Sequence, residues 1–438
     1  MPGAFERLQL RISRRDAWVV VIGLGYVGLP MAVALAESRF HVVGLDQNLQ
    51  RLKTLRTGKT YVPDVPAVRI RKLMAAKRFR VTSHPACIQQ ADVVVICVPT
   101  PMLKTREPDL SYVLSAVRTV AKHLRQATLV ILESTTYPGT TDGVVRQELE
   151  AAGHRLDQDV FLAFSPERID PGNRQFAMTD IPKLVGGVTP KATQLADSFY
   201  SQRLTRVIPV ASSRVAETAK LLENTFRIIN IGLANEFALL CHAIDVDVWE
   251  VIKAASTKPF GFMPFYPGPG IGGHCIPSDP IYLSWRARAA GFEARMIDLA
   301  AHINTRMPAY VIERVADVLN DRKRSLKGSR ILVLGVAYKR DINDTRDSPA
   351  LEIVEGLHRK GARVSYHDPY VPSIRTDSRR WTSQGLREPF LKTVDCAVIT
   401  TDHTTVNYPL IAKHVPVIFD TRNVMQAVPS SFAKVVRL

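Results

Sequence analysis

The chain has 438 residues, 46% of them hydrophobic and 23% charged, with a formal net charge of +17. That length suggests two or three domains, and that balance is the one expected of a soluble globular protein. The Lys and Arg residues are scattered, with no basic block and no nucleic-acid motif, so the charge favours a surface that attracts a phosphorylated small molecule over one that grips nucleic acid. The five cysteines, Cys87, Cys97, Cys241, Cys275 and Cys396, form no CxxC pair and no metal-like cluster with histidine. They argue for a reducing, cytoplasmic setting and against a disulfide scaffold or a metal site. Residues 1–16 read as a basic extension without an apolar run, hence no signal peptide, and no stretch is apolar and long enough to span a membrane.

Ala17 to Ile22 is a short apolar run and reads as a buried parallel strand. Gly23-Leu-Gly25-Tyr-Val-Gly28 follows, then a helix over 29–38, then a strand over 41–45 that ends in Asp46. This is strand, glycine turn, helix, strand, acid. The first glycine makes the turn, the second admits a pyrophosphate and the third lets the helix pack close. A carboxylate at Asp46 binds adenosine ribose hydroxyls and repels a 2′-phosphate, so the spacing predicts NAD over NADP. Further strands are expected over 91–98, 128–132 and 160–164. The first two end in Thr100 and Thr135, which are either cofactor contacts or plain strand terminators, because ligands of doubly wound sheets gather at such carboxyl ends. The third runs into Ser165-Pro-Glu-Arg168, where Glu167 is either a base or a salt-bridged loop residue.

Helix signals take over from Ser213 to about Ile244. Lys220 and Asn224, four apart, share one face of that helix. Another helix is expected over 245–257. Then comes Phe265-Tyr-Pro-Gly-Pro-Gly-Ile-Gly-Gly-His-Cys-Ile-Pro-Ser-Asp-Pro280, with glycines at 268, 270, 272 and 273. The glycines allow tight turns and close approach to a ligand. Pro277 suits the first position of a helix ending at Gly291, which places Cys275 just before a helix N-terminus. There the helix dipole favours a thiolate. The alternative is a buried structural cysteine. A helical pattern from about Ala294 to Leu326 suggests a connector and a dimer seam.

A second α/β unit begins at Ser329. Strands are expected over 330–335, 362–366, 396–400 and 416–420, with a helix over 348–360. After Gly335 comes Val-Ala-Tyr-Lys-Arg-Asp, which is not GxGxxG. This lobe therefore lacks the dinucleotide turn and is expected to grip another part of a substrate.

These residues resemble the UDP-glucose/GDP-mannose dehydrogenase family, from about Ala17 to Val424. The stretches that carry the likeness are Gly23-Leu-Gly-Tyr-Val-Gly28, Ser165-Pro-Glu167, Ala219-Lys220 with Asn224, Gly268 to Cys275 with Asp279, and Gly335-Val-Ala-Tyr-Lys339 with Asp344-Thr-Arg346. The resemblance implies a twofold oxidation at C6 of a nucleotide sugar, from alcohol to carboxylate, with NAD and no metal. It implies an α/β fold of two Rossmann-like doubly wound parallel-sheet domains, joined by a helical middle domain with a long connecting helix. The bounds expected are 1–16 for the extension, 17–212 for the NAD-binding domain, 213–326 for the helical dimerising domain and 327–438 for the UDP-sugar domain.

Residue by residue, the resemblance implies Cys275, Lys220, Asn224, Asp279 and Glu167 as catalytic. Gly23, Gly25, Tyr26, Val27, Gly28, Asp46, Arg51, Thr100, Thr135 and Arg346 are implied for the cofactor. Glu167, Arg168, Lys220, Asn224, Lys258, Phe265, Tyr266, Gly270, Gly272, Gly273, Tyr338, Lys339 and Arg422 are implied for the substrate. Members acting on UDP-glucose carry Lys where this chain has Ser278. The wording around Cys275, with Ser165 to Arg168 and Asp170 to Asn173, is similar to the N-acetylhexosamine branch, and 258–268 is most similar to bacterial members of surface-polysaccharide pathways acting on UDP-N-acetylglucosamine. UDP-N-acetylmannosamine, UDP-N-acetylgalactosamine and UDP-glucose stay open. The family's arginine that crosses the dimer has only Lys258 as a stand-in, and only Arg422 aligns with a substrate-binding arginine pair. A 6-phosphogluconate-type hydroxyacid dehydrogenase needs neither Cys275 nor a second α/β lobe. A regulatory NAD sensor that binds nucleic acid has only the net charge in its favour.

Overall fold

The computed structural model describes residues 3–62, 65–103, 105–168, 180–429 and 432–438. The stretch Asp170 to Asn173 lies outside the described residues. The chain divides into two compact units, Met1–Glu223 with Trp285–Gly291, and Asn224–Ser284 with Phe292–Leu438.

The first unit holds an eight-stranded sheet. Its strands are β1 (Trp18–Ile22), β2 (His41–Leu45), β3 (Phe79–Thr82), β4 (Val93–Ile96), β5 (Thr128–Leu132), β6 (Val160–Phe164), β7 (Lys183–Gly187) and β8 (Val207–Pro209). The spatial order is β3-β2-β1-β4-β5-β6-β7-β8. The first six run parallel, β7 runs antiparallel to β6, and β8 is parallel to β7. Alternate strand residues feed two cores. Val19, Val21, Val93, Val95, Leu129 and Ile131 face one of them, and Val20, Ile22, Val94, Ile96, Val130 and Leu132 the other. Both faces are covered, so the strands read as continuous apolar runs. The helices are α1 (Ala4–Ser13), α2 (Gly28–Glu37), α3 (Leu49–Arg56), α4 (Ala67–Ala75), α5 (Ser111–His123), α6 (Arg146–Ala151) and α7 (Pro190–Tyr200).

The basic extension expected over 1–16 is in fact mostly a docked helix. In α1, Leu8 and Ile12 are buried, Phe5 packs 6.1 Å from the ring of Phe161, and Arg11 pairs with Asp92 at 2.8 Å. Its apolar face is only three residues wide at spacings of three and four, which a search for a continuous apolar run passes over.

In the middle of the chain lie α8 (Ser213–Ala243), 31 residues long, then α9 (Val248–Ala255), α10 (Cys275–Ala289) and α11 (Arg295–Asn320). The helix expected as far as Leu326 stops at Asn320, and Lys323 beyond it takes a left-handed φ of 56°. The long middle helix is therefore α8, while α11 lies wholly in the second unit. That unit's sheet has β9 (Arg330–Leu334), β10 (Arg363–His367), β13 (Cys396–Ile399), β14 (Val417–Asp420) and β15 (Lys434–Arg437), with β11 (Ser373–Arg375) and β12 (Arg380–Thr382) forming a separate antiparallel pair. The five-stranded order is β10-β9-β13-β14-β15, all parallel. α12 (Pro349–Arg359) and α11 bury Ile353, Val354, Val311 and Val315 in one core with Val333. Among the described residues, no helix is long and apolar enough to cross a membrane.

Candidate active site

Parallel packing of β1, β2, β4 and β5 brings their carboxyl ends to one edge of the first sheet. Gly23 leaves β1 with φ +89°, and a Cβ on Gly28 would stand 1.8 Å from the Gly23 carbonyl oxygen, so only glycine lets α2 start there. A Cβ on Gly25 would meet nothing within 4 Å. The turn thus faces open space beside a helix N-terminus, which fits a pyrophosphate. Asp46 is buried; its Oδ2 accepts from the Leu24 N–H at 2.8 Å and its Oδ1 from the Asn48 N–H at 2.7 Å. Arg51 is 3.5 Å from Asp46 and lies 5.8 Å over the Tyr61 ring. Tyr26 is exposed, Val27 precedes α2 directly, Thr100 is buried and Thr135 half-buried. These residues fit NAD.

Behind Glu167 lies a buried cluster that the sequence reading missed. The Lys183 Nζ, from β7, is 3.0 Å from Oε1 of Glu133 and 3.5 Å from Oε2 of Glu167. The Tyr200 hydroxyl also donates to Glu133 Oε1, and the Cys97 thiol lies 3.6 Å from Glu133 Oε2. Burial pushes up the Glu133 carboxyl and the Cys97 and Tyr200 groups. Glu167 itself accepts from the Arg168 N–H at 2.7 Å. The Arg168 side chain bonds Glu223 at 2.6 Å and donates to the Pro182 carbonyl at 2.7 Å. The one signal for this cluster was a lysine opening an otherwise apolar strand. Its partner Glu133 is fifty positions away, where spacing rules have no reach.

Lys220 and Asn224, both buried, share a face of α8. The Asn224 Nδ2 donates to Asp279 Oδ2 at 2.6 Å. Asp279, buried, lies one turn past Cys275 on α10, and Cys275 is exposed. α10 begins at Cys275 itself, two residues before the expected start at Pro277. Proline is tolerated through the first helical turn, where N–H groups have no intrahelical acceptor, so it did not fix the first residue.

The glycine-rich loop before Cys275 lies flat on the turn that follows β9. The Gly273 N–H donates to the Arg346 carbonyl at 2.9 Å. A Cβ on Gly272 would stand 2.6 Å from Tyr338 Cβ, and one on Gly273 2.9 Å from the Tyr338 ring. Gly270 approaches Pro349 similarly. The Gly268 N–H donates to Asn235 Oδ1 at 2.8 Å, and Asn235 in turn donates to Asn304 at 2.8 Å. An added Cβ on Gly268 would stand 2.7 Å from Nη1 of Arg422. The Arg422 Nε donates to the Thr400 carbonyl at 2.9 Å, and burial pulls its guanidinium down to about 10. Arg346 pairs with Asp344 at 2.6 Å, and Lys339 stands in the same loop. Phe265 packs edge-on to Phe226, and Tyr266 stacks on Trp249. Lys258 is exposed, 5.0 Å over the Phe260 ring. Within the second unit the fold thus gathers Cys275, Asn224, Asp279, the glycines, Tyr338, Arg346 and Arg422.

Three family models match in chain order: the NAD binding domain of the UDP-glucose/GDP-mannose dehydrogenase family over residues 17–204, its central domain over 214–306 and its UDP binding domain over 332–427. The chain belongs to the UDP-glucose/GDP-mannose dehydrogenase family. It is 38% identical over 423 residues to a UDP-N-acetyl-D-mannosamine dehydrogenase of Pyrococcus horikoshii, covering 94% of this chain and 97% of that one. It is 37% identical over 359 residues to a UDP-N-acetyl-D-glucosamine 6-dehydrogenase of Pseudomonas aeruginosa, covering 82% and 84%. Among solved structures, the UDP-D-ManNAc dehydrogenase from Pyrococcus horikoshii superposes with a TM-score of 0.87 at 36% identity, over 96% of this chain and 98% of that one. This family member is an NAD-dependent nucleotide-sugar dehydrogenase.

Proposed function

We propose that the enzyme oxidises C6 of a UDP-N-acetylhexosamine from alcohol to carboxylate, with UDP-N-acetylglucosamine as the substrate, and so supplies a uronic acid for surface polysaccharide. The observation that carries this reading is the pairing on α10 of exposed Cys275 with buried Asp279, one turn on, whose carboxylate is bonded to Asn224. NAD+, when bound, accepts a hydride in each of the two oxidations. Asp279 takes the proton from the C6 hydroxyl, directly or through a water. Lys220 and Asn224 donate to the developing oxyanion, as preorganised donors do in a buried site. The Cys275 thiolate, favoured by the N-terminal end of α10, adds to the aldehyde carbon. The resulting thiohemiacetal carries a C–H bond that can leave as hydride, and its oxidation gives a thioester. Glu167 takes a proton from water as the water oxygen bonds to the acyl carbon, and Cys275 leaves as thiolate.

In this reading the uridine diphosphate binds on the second unit, along Tyr338, Lys339 and Arg422 beside the glycine loop. Thr100 and Thr135, just past β4 and β5, meet the nicotinamide side of NAD. The five free thiols support a reducing, cytoplasmic location. A second copy of the chain covers the exposed stripe Leu222, Phe226, Leu233, Phe237 and Leu240 on α8, since side chains at steps of three, four and seven residues share one face. UDP-N-acetylmannosamine is the second reading, favoured by the Pyrococcus relative. A panel of UDP-sugars assayed for NADH separates them. The proposal expects two NADH per UDP-N-acetylglucosamine and little from UDP-glucose. One NADH per sugar, or faster turnover of another epimer, overturns the corresponding part.

A further inference from the structure

Lys183 occupies a position that composition alone disfavours, the first residue of a strand whose five residues are all buried. A buried ammonium is costly unless acceptors surround it. Its neighbours come from three elements: Glu133 after β5, Tyr200 at the end of α7, whose ring lies 5.2 Å from Nζ, and Glu167 after β6. The Glu133–Lys183 pair needs nothing more to be neutral. Yet the same Nζ also faces Glu167, the carboxylate to which the proposed mechanism gives the final hydrolysis. Replacing a buried ion pair by apolar groups is often neutral or stabilising, so stability is a weak reason for this one.

The geometry supplies a better reason. Lys183 and the Arg168 N–H hold the two oxygens of Glu167 from different directions, Lys183 at Oε2 and the N–H at Oε1. That fixes the plane of the carboxylate. Glu133 holds Lys183 from behind, and Tyr200 and Cys97 in turn engage Glu133. A space with room for about one water is lined by Glu167, Arg168, Lys183, Pro182, Ile181 and Met31.

We infer that Lys183 is a positioning residue for Glu167, anchored by Glu133, and that it aims the carboxylate which deprotonates the water in thioester hydrolysis. The inference rests on the reading of Glu167 given above. Atoms balance as in that step: one proton passes from water to Glu167, the water oxygen bonds to the acyl carbon, and the C–S bond breaks to return the Cys275 thiolate.

The test compares Lys183→Met, Lys183→Arg and Glu167→Gln in the full-length enzyme. Each is mixed with NAD+ and the UDP-sugar that gives NADH, and followed by intact-protein mass and by the KM values for both ligands. Lys183→Met is expected to accumulate the acyl adduct, with hydrolysis slowed about 10- to 100-fold, a fraction of what a general base supplies. Both KM values should fall with kcat and neither should rise, because slowing a late step until the adduct accumulates lowers kcat and KM together. Lys183→Arg should restore most of the turnover. Should Lys183→Met fold poorly with Glu133 left unpaired, the double variant Glu133→Gln, Lys183→Met carries the same readout. Folded Lys183→Met without adduct and with unchanged kcat overturns the inference, as does a uniform loss that raises both KM values without adduct. If Glu167→Gln also lacks adduct, the reading of Glu167 itself fails. If Glu167→Gln accumulates adduct and Lys183→Met does not, only the role of Lys183 fails.

Discussion

Each of the two large sheets places an aspartate just after the strand beside its first strand, Asp46 after β2 and Asp368 after β10, and the two carboxylates have different partners. Asp46 accepts one backbone N–H on each oxygen, with Arg51 at 3.5 Å. Asp368 accepts from Val336 and Ala337 on Oδ2 and from Tyr370 and Val371 on Oδ1, and the buried His403 Nε2 lies 3.0 Å from Oδ2. The His403 Nδ1 accepts from the Asp341 N–H, which leaves the proton on Nε2 for Asp368. The first carboxylate keeps acceptor capacity on Oδ1, whereas the second is consumed by its own loop. The turns differ in the same sense. Gly28 starts α2 directly after the first turn, whereas the chain runs from Gly335 to Pro349 before α12 begins, and that longer loop is the surface on which the Cys275 loop rests. Closely related sheets are thus specialised by one turn and by the hydrogen-bond partners of one acid.

The comparison breaks most sharply at the glycines. Gly25→Ala adds a methyl that touches no protein atom. It should leave the melting temperature unchanged and weaken NAD binding by about 100-fold, read by calorimetric titration, because it fills the space of a pyrophosphate. Gly335→Ala meets the Thr401 carbonyl at 2.5 Å at a φ of +84°. It should cost about 2–4 kcal/mol of stability in urea denaturation and leave the NAD affinity of the folded fraction intact.

The aspartates come next. Asp368→Asn should destabilise by about 2–3 kcal/mol, since an amide nitrogen then faces backbone N–H donors. Asp46→Asn should cost about 1–2 kcal/mol, less than Asp368→Asn because its amide nitrogen faces one backbone N–H and not two, with NAD affinity down about tenfold and discrimination against NADP lost. Equal destabilisation by both would remove the distinction.

The smallest effect is a pair of opposite pH slopes. Burial pushes the Asp368 carboxyl up, but its bonds to His403 and to the backbone N–H groups outweigh burial and hold it below the usual range. Its contribution is therefore present above the ordinary carboxylate pKa and lost as pH falls through the lowered value. Glu217, buried on α8 and bonded to Gly139 and Thr141, is pushed up to about 7 by burial. Its contribution is full below the ordinary glutamate value and lost as pH rises through about 7. Denaturation of Glu217→Gln and Asp368→Asn beside the wild type, from pH 3 to 8, should remove one slope each, the first near neutrality and the second in acid.

Much of this was legible in the residues. The apolar runs of β1, β2, β5 and β6 fixed the first sheet, and Lys220 with Asn224 declared a shared face by spacing alone. The missing parts have physical reasons. β7 opens with a charged residue whose neutralising partner Glu133 is fifty positions upstream. The bond from Asn224 to Asp279 spans 55 residues and exists only once α8 meets α10. The docking of α1 depends on three apolar side chains in a basic segment. Local pattern specified each element, while the partners of buried charges were set by tertiary packing.

The account turns on the covalent step at Cys275. Cys275→Ala, given NAD+ and UDP-N-acetylglucosamine and assayed by chromatography of the nucleotide sugars, should form no UDP-sugar acid. Acid formed at near the wild-type rate would contradict it.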